Sequence, residues 1–141
     1  MTQPALTGTR RSAFVVYRWA LTVFLLLGVV QIFLAGMGVF ALNGREIGAP
    51  GETAFSPHRL VGNIMSAVAL VILVLVLVAR PGTADVIGAA VLFVLTGVAQ
   101  SVFANLGTDA SFWGGLHALD GLIVIGLAGF LHVKAIRALK A

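Results

Sequence analysis

The chain has no cysteine, and its nine basic and five acidic residues together make up only 10% of 141 positions. Without thiols there can be no disulfide, no zinc–thiolate or iron–sulfur centre, and no covalent c-type haem, which needs a C-x-x-C-H anchor. So little charge excludes a soluble domain, where about a quarter of residues are charged, and a disordered chain as well. The net charge of +4 sits in the flanks of apolar runs rather than in one patch, so no nucleic-acid partner is expected. What remains for chemistry is backbone, hydroxyls, a few carboxylates and three histidines.

What is present is apolar. Hydrophobic residues are 60% of the chain and the mean hydropathy is +1.07, the composition of an integral membrane protein with the lipid bilayer as its first partner. Four stretches are long enough to cross a bilayer as helix, which takes about 20 residues: Tyr17–Leu42, Pro57–Ala79, Ala84–Asn105 and Phe112–Leu139. Exposed strands would leave amides unpaired in lipid, and no ten-residue alternation suggests a barrel. The expected fold is therefore an all-α, four-transmembrane-helix bundle, with residues 1–16 as a cytoplasmic tail and residues 17–141 as one domain. No span reads as broken. The first is too long for a cleaved signal peptide and no A-x-A site follows it.

Local signals punctuate these spans. Ser56-Pro57 predicts the cap and first turn of the second helix. Arg80-Pro81-Gly82-Thr83 predicts a tight turn, Asn105 and Gly107 the end of the third helix, and Asp109 or Ser111 the cap of the fourth. Tyr17 and Trp19 at one interface, and Phe112 and Trp113 at the other, read as aromatic belts. Arg10, Arg11, Arg18, Arg80, Lys134, Arg137 and Lys140 fall on one side of the membrane, and only Arg45 and Arg59 on the other. The positive-inside rule then places both termini in the cytoplasm of a bacterial cell, with the protein multi-pass in the plasma membrane.

An internal repeat is legible. A shift of 69 residues lays helix one on helix three, with Phe24 on Phe93, Leu26 on Leu95, Gly28 on Gly97, Val29 on Val98, Gln31 on Gln100, Ala35 on Ala104 and Gly38 on Gly107. A shift of 59 lays helix two on helix four, with His58 on His117, Leu60 on Leu119, Gly62 on Gly121 and Ile64 on Ile123. Shared apolar residues mean little in membrane helices; a shared Gln and a shared His-x-x-x-Gly mean more. The expected architecture is two repeated helical hairpins, about residues 17–80 and 84–139, related by a pseudo-two-fold axis along the membrane normal.

That axis would set His58 and His117 face to face near the outer side. Two imidazoles on opposite helices of a bundle suit a planar iron macrocycle, and Gly62 and Gly121, one turn deeper, would leave room for its edge. The expected cofactor is non-covalent haem b with His58 and His117 as metal ligands. The plainer alternative is a pair of interfacial histidines and two packing glycines. His132 has no repeat partner and reads as an interfacial or core histidine. Gln31 and Gln100 lie deeper and read either as hydrogen-bonded structural amides or as lining for the cofactor or a quinone; Asn63 is similar. Asp120, inside a span, is a functional candidate. It would pair with Arg59 or accept a hydrogen bond from a ligand histidine's second nitrogen. Arg59 and Arg45 would otherwise meet haem propionates.

G-V-V-Q-I-F-L-A-G (Gly28 to Gly36), an outer loop and H-R-L-V-G (His58 to Gly62) resemble one half of heme A synthase, as do G-V-A-Q (Gly97 to Gln100) and His117. The resemblance covers about Phe24 to His132. The chain is also similar to small four-helix actinobacterial membrane proteins. The resemblance implies a four-helix bundle with histidines on its second and fourth helices and haem on His58 and His117. It does not carry hydroxylase chemistry. Ala54, Phe55, Ser56 and Pro57 stand before His58 where that family has a catalytic glutamate, and its outer-loop cysteine pair is missing. Three functions stay open: a b-type cytochrome passing electrons to a redox partner or quinone, a cofactor-free protein of a homo-oligomer or larger membrane complex, and a haem- or quinone-modifying enzyme.

Overall fold

Lipid offers no hydrogen bonds, so a spanning segment must satisfy its backbone within itself. A computed structural model of the protein describes residues 7–42 and 53–140, and every element in it is helical. α1 is Gly8–Leu42, α2 Ser56–Ala79, α3 Thr83–Leu106 and α4 Ser111–Lys140, each long and apolar enough to cross a membrane. The shortest, at 24 residues, reaches about 36 Å at 1.5 Å per residue, against a hydrocarbon core of about 30 Å.

The helices form a ring. α1 packs on α2, α2 on α3, α3 on α4 and α4 back on α1. Among the described residues no Cα of α1 comes within 8 Å of α3, or of α2 within 8 Å of α4, so these pairs face each other diagonally. Each helix turns a stripe at three- and four-residue spacing to the middle. These stripes are Phe14, Tyr17, Leu21, Phe24 and Gly28 on α1; Met65, Ala69, Ile72 and Val76 on α2; Asp85, Ala89, Leu92 and Thr96 on α3; and Val124, Ala128, Leu131 and Ala135 on α4. The alanines let backbones approach closely, which is the main source of helix association where lipid is as apolar as the core.

Several local features differ from the sequence reading. α1 begins at Gly8, well before Tyr17, and its extra turns bury Phe14. Tyr17 is fully buried in the core and is not a belt residue, because it falls on the same stripe as Phe14 and Leu21. Trp19 is exposed, with the Arg18 guanidinium 4.1 Å above its ring. Ser56 is the first residue of α2, not its cap; Phe55 precedes it and makes no side-chain cap bond. α3 is interrupted by a π turn at Leu95–Ala99, where Gln100 N–H donates to the carbonyl five residues back. A π turn holds one residue more than an α turn. On one side of it the buried positions of α1 recur 68 residues on, as 17, 21, 24 and 28 against 85, 89, 92 and 96. On the other side Gln31 recurs 69 residues on as Gln100. The pairings of Phe24 with Phe93 and Gly28 with Gly97 are thus one residue out of face register.

The ring has two unlike ends. At the arginine end Arg80 closes α2 in the left-handed region (φ 50), its N–H donating to Val76 O at 2.8 Å, and Pro81 prevents the helix from continuing. There Arg10 of α1 donates from Nε to Ala79 O at 3.0 Å and from Nη2 to Arg80 O at 2.8 Å. At the histidine end, Gly107 N–H donates to Phe103 O at 2.8 Å and α4 restarts at Ser111.

Candidate functional site

His58 stands in the first turn of α2 and His117 two turns into α4, and the diagonal arrangement brings their rings to 6.1 Å between centroids at 66°. Each imidazole is held by the glutamine of the preceding helix. His58 Nδ1 lies 3.2 Å from Gln31 O, and Gln31 Nε2 donates to His58 O at 2.9 Å. His117 Nδ1 lies 3.0 Å from Gln100 O, and Gln100 Nε2 donates to His117 O at 2.8 Å. A carbonyl only accepts, so each Nδ1 carries the hydrogen and each neutral ring keeps its lone pair on Nε2.

The second hydrogen of each amide goes to a different place. Gln31 Nε2 sits 3.3 Å from His58 Nε2. Gln100 Nε2 donates instead to Asp120 Oδ2 at 2.9 Å. Asp120, 5% exposed, occupies the place that Val61 holds in the first hairpin, 59 residues earlier. Gln31 Oε1 is buried with no partner among the described residues. The edge of Phe55 meets His58 at 6.1 Å and 82°. A Cβ on Gly38 would lie 2.5 Å from the Phe55 ring, so glycine is what allows that approach.

The expected site residues divide accordingly. His58, His117, Gln31, Gln100 and Asp120 come together. The space beside Gly62 is taken by the Gln31 amide, 3.1 Å from where a Cβ would be, and the Gln100 amide is 3.7 Å from the same point on Gly121. Arg59 is exposed and donates to Ser56 Oγ at 3.3 Å, while the partner seen for Asp120 is Gln100 rather than Arg59 or a histidine nitrogen. Arg45 lies outside the described residues. Asn63 is exposed. His132 is far from this site, with Nε2 2.9 Å from Thr22 Oγ1.

Two polar features were not anticipated. Asp85 is buried and pairs with Lys134 Nζ at 2.9 Å near the arginine end. A lone acid among seven cations was the available signal. Ser66 Oγ donates to Gly62 O at 3.1 Å and lies 3.3 Å from Thr96 O, tying α2 to the π turn; nothing in the sequence marks a π turn.

As a metal site, the cluster offers two imidazoles. Among the described residues no three His or carboxylate groups converge on one point. His58 and His117 are the residues that would hold a metal or a haem iron here, through the Nε2 atoms left free by the Nδ1 contacts. The chemistry of the donors suits that role: two imidazoles from diagonally opposite helices, with ring centres 6.1 Å apart. The amide of Gln31 beside His58 Nε2 is the group that would have to turn away.

A family model described as a family of unknown function (DUF6220) matches residues 31–106, more than half of the chain. The match includes Gln31, His58 and Gln100 and stops before His117. No curated protein and no solved structure matches the chain.

Proposed function

We propose that this chain, which belongs to the DUF6220 family, is a membrane haem-binding protein that holds one non-covalent haem b between His58 and His117 near the outer face and carries electrons between a membrane carrier such as a quinone and a redox partner. The observation that carries the reading is the matched pair of imidazoles, 6.1 Å apart, each with Nδ1 on a backbone carbonyl. When bound, haem supplies one-electron chemistry. The chain's own residues orient and tune. The Gln31 and Gln100 carbonyls fix ring orientation and make each Nε2 more basic. Asp120 draws one hydrogen of the Gln100 amide to itself.

The finer architecture proposed is a pair of hairpin repeats about a pseudo-two-fold axis along the membrane normal. The same His–Gln bonds in both hairpins support it, as does the recurrence of α2's buried positions 65, 69, 72 and 76 at 124, 128, 131 and 135 in α4, 59 residues on. The seven cations at the arginine end support an orientation with that end in the cytoplasm of a bacterial cell. On this reading the chain is similar to the redox-haem half of heme A synthase, without the glutamate and cysteines of its chemistry.

A second reading is favoured by the Gln31 amide on His58 Nε2. There the histidines are structural clasps of a cofactor-free protein that assembles as a homo-oligomer or within a larger membrane complex.

A visible spectrum decides between the two. Protein purified from haem-replete cells should be red, with a low-spin spectrum, a sharp alpha band on reduction and little carbon monoxide binding. His58→Ala and His117→Ala should each abolish that spectrum or make it high-spin, and His132→Ala, whose partner is Thr22, should leave it unchanged. Protein that stays colourless after haem addition would reject the haem reading and leave the structural one.

A further inference from the structure

We propose that the arginine end of the bundle carries a binding site for one anionic phospholipid. A groove of ≈ 530 Å³ lies between the start of α1 and the end of α2, lined by Thr9, Arg10, Val74, Leu77, Val78 and Arg80. An adjoining hollow of ≈ 310 Å³ shares Arg80 and adds Thr83. The composition of the groove is that of a lipid in section. Its polar lining is Thr9, Arg10 and Arg80. Val74, Leu77 and Val78, each about half exposed, continue from it along α2. From Arg80 back to Val74 is six residues of helix, about 9 Å into the membrane at 1.5 Å per residue.

The polar part is preorganised. Arg10 is fastened through Nε and Nη2 to the carbonyls of Ala79 and Arg80. Its side chain is therefore fixed in place, and a guanidinium has further N–H donors to offer a phosphodiester. Arg80 projects from a backbone in the left-handed region whose N–H is tied to Val76 O.

Charge selects the headgroup. Seven Lys and Arg residues lie at this end. Among the described residues the one acid there is Asp85, already paired with Lys134 at 2.9 Å. The surplus calls for a net anion. A zwitterionic headgroup brings its own cation, and a free phosphate leaves the apolar wall uncovered. A phosphatidylglycerol-type lipid satisfies both halves, and anionic lipid is what a positive-inside face meets in a cell.

The test uses the full chain in mild detergent. Native mass spectrometry and thermal unfolding would be followed while dioleoyl-phosphatidylglycerol, dioleoyl-phosphatidylcholine or inorganic phosphate is added. One retained phosphatidylglycerol and a raised midpoint are expected, with little response to the other two. Arg80→Gly removes the guanidinium while suiting the left-handed backbone, and should weaken retention about tenfold, as loss of a charged hydrogen bond does. Arg137→Ala removes an equal charge outside the groove and should leave retention unchanged. Equal effects of Arg80→Gly and Arg137→Ala would reduce the site to diffuse attraction and overturn the proposal. So would an equal response to phosphatidylcholine, or a full response to inorganic phosphate alone.

Discussion

Two imidazoles that look equivalent by spacing differ in what their free nitrogens meet. In the first hairpin the Gln31 amide has no carboxylate beside it among the described residues and rests on His58 Nε2. In the second, Asp120 takes that hydrogen from Gln100. Replacing one amide by an apolar isostere should therefore have unequal results. Gln31→Leu should raise haem affinity of the apoprotein, by up to about tenfold, because a hydrogen bond of about 1 kcal/mol no longer competes for His58 Nε2. Gln100→Leu should lower it and destabilise the fold by about 1–3 kcal/mol more than Gln31→Leu does, because each change strips one histidine carbonyl of a donor but only Gln100→Leu also leaves the buried Asp120 carboxylate without one. Titrating haem into both variants, with unfolding midpoints alongside, checks the contrast; equal changes would show that Asp120 makes no difference. The histidines and glutamines were legible in the sequence because the repeat doubled them. The role of Asp120 was not, since its partner comes from another helix and the repeat puts Val61 in its place.

At the scale of elements, the π turn separates two registers within one helix. Each residue of a regular helix turns it by about 100°, so a one-residue deletion normally swings everything beyond it off the core face. Deleting Val98 should instead be absorbed, converting the wide turn at Leu95–Ala99 to a regular one and leaving Asp85 and Gln100 on their faces. Deleting Val29, its sequence counterpart in the uninterrupted α1, should rotate Gln31 away from His58 and lower the unfolding midpoint sharply. Thermal unfolding of the two deletions in detergent measures the difference, and equal losses would show that the π turn does not store the extra residue. The four spans were readable because apolar length and the turn residues agree at nearly every boundary. The start of α1 was not, because Arg10, Arg11 and Ser12 read as tail while Phe14 and Tyr17 belong to the core stripe. The wide turn was hidden because an identity count tolerates a one-residue change of face that packing does not.

For the whole molecule, the uneven charge makes a prediction about topology. Reporter fusions at Thr2 and Ala141 should both read cytoplasmic; one reading outside would reverse or break the proposed orientation. The same charges bear on how the protein is made. The carbonyls that Arg10 holds lie 69 and 70 residues later in the chain. Those two bonds can therefore form only after the end of α2 has been made. Arg10 is thus a latch that closes late and registers the completed hairpin.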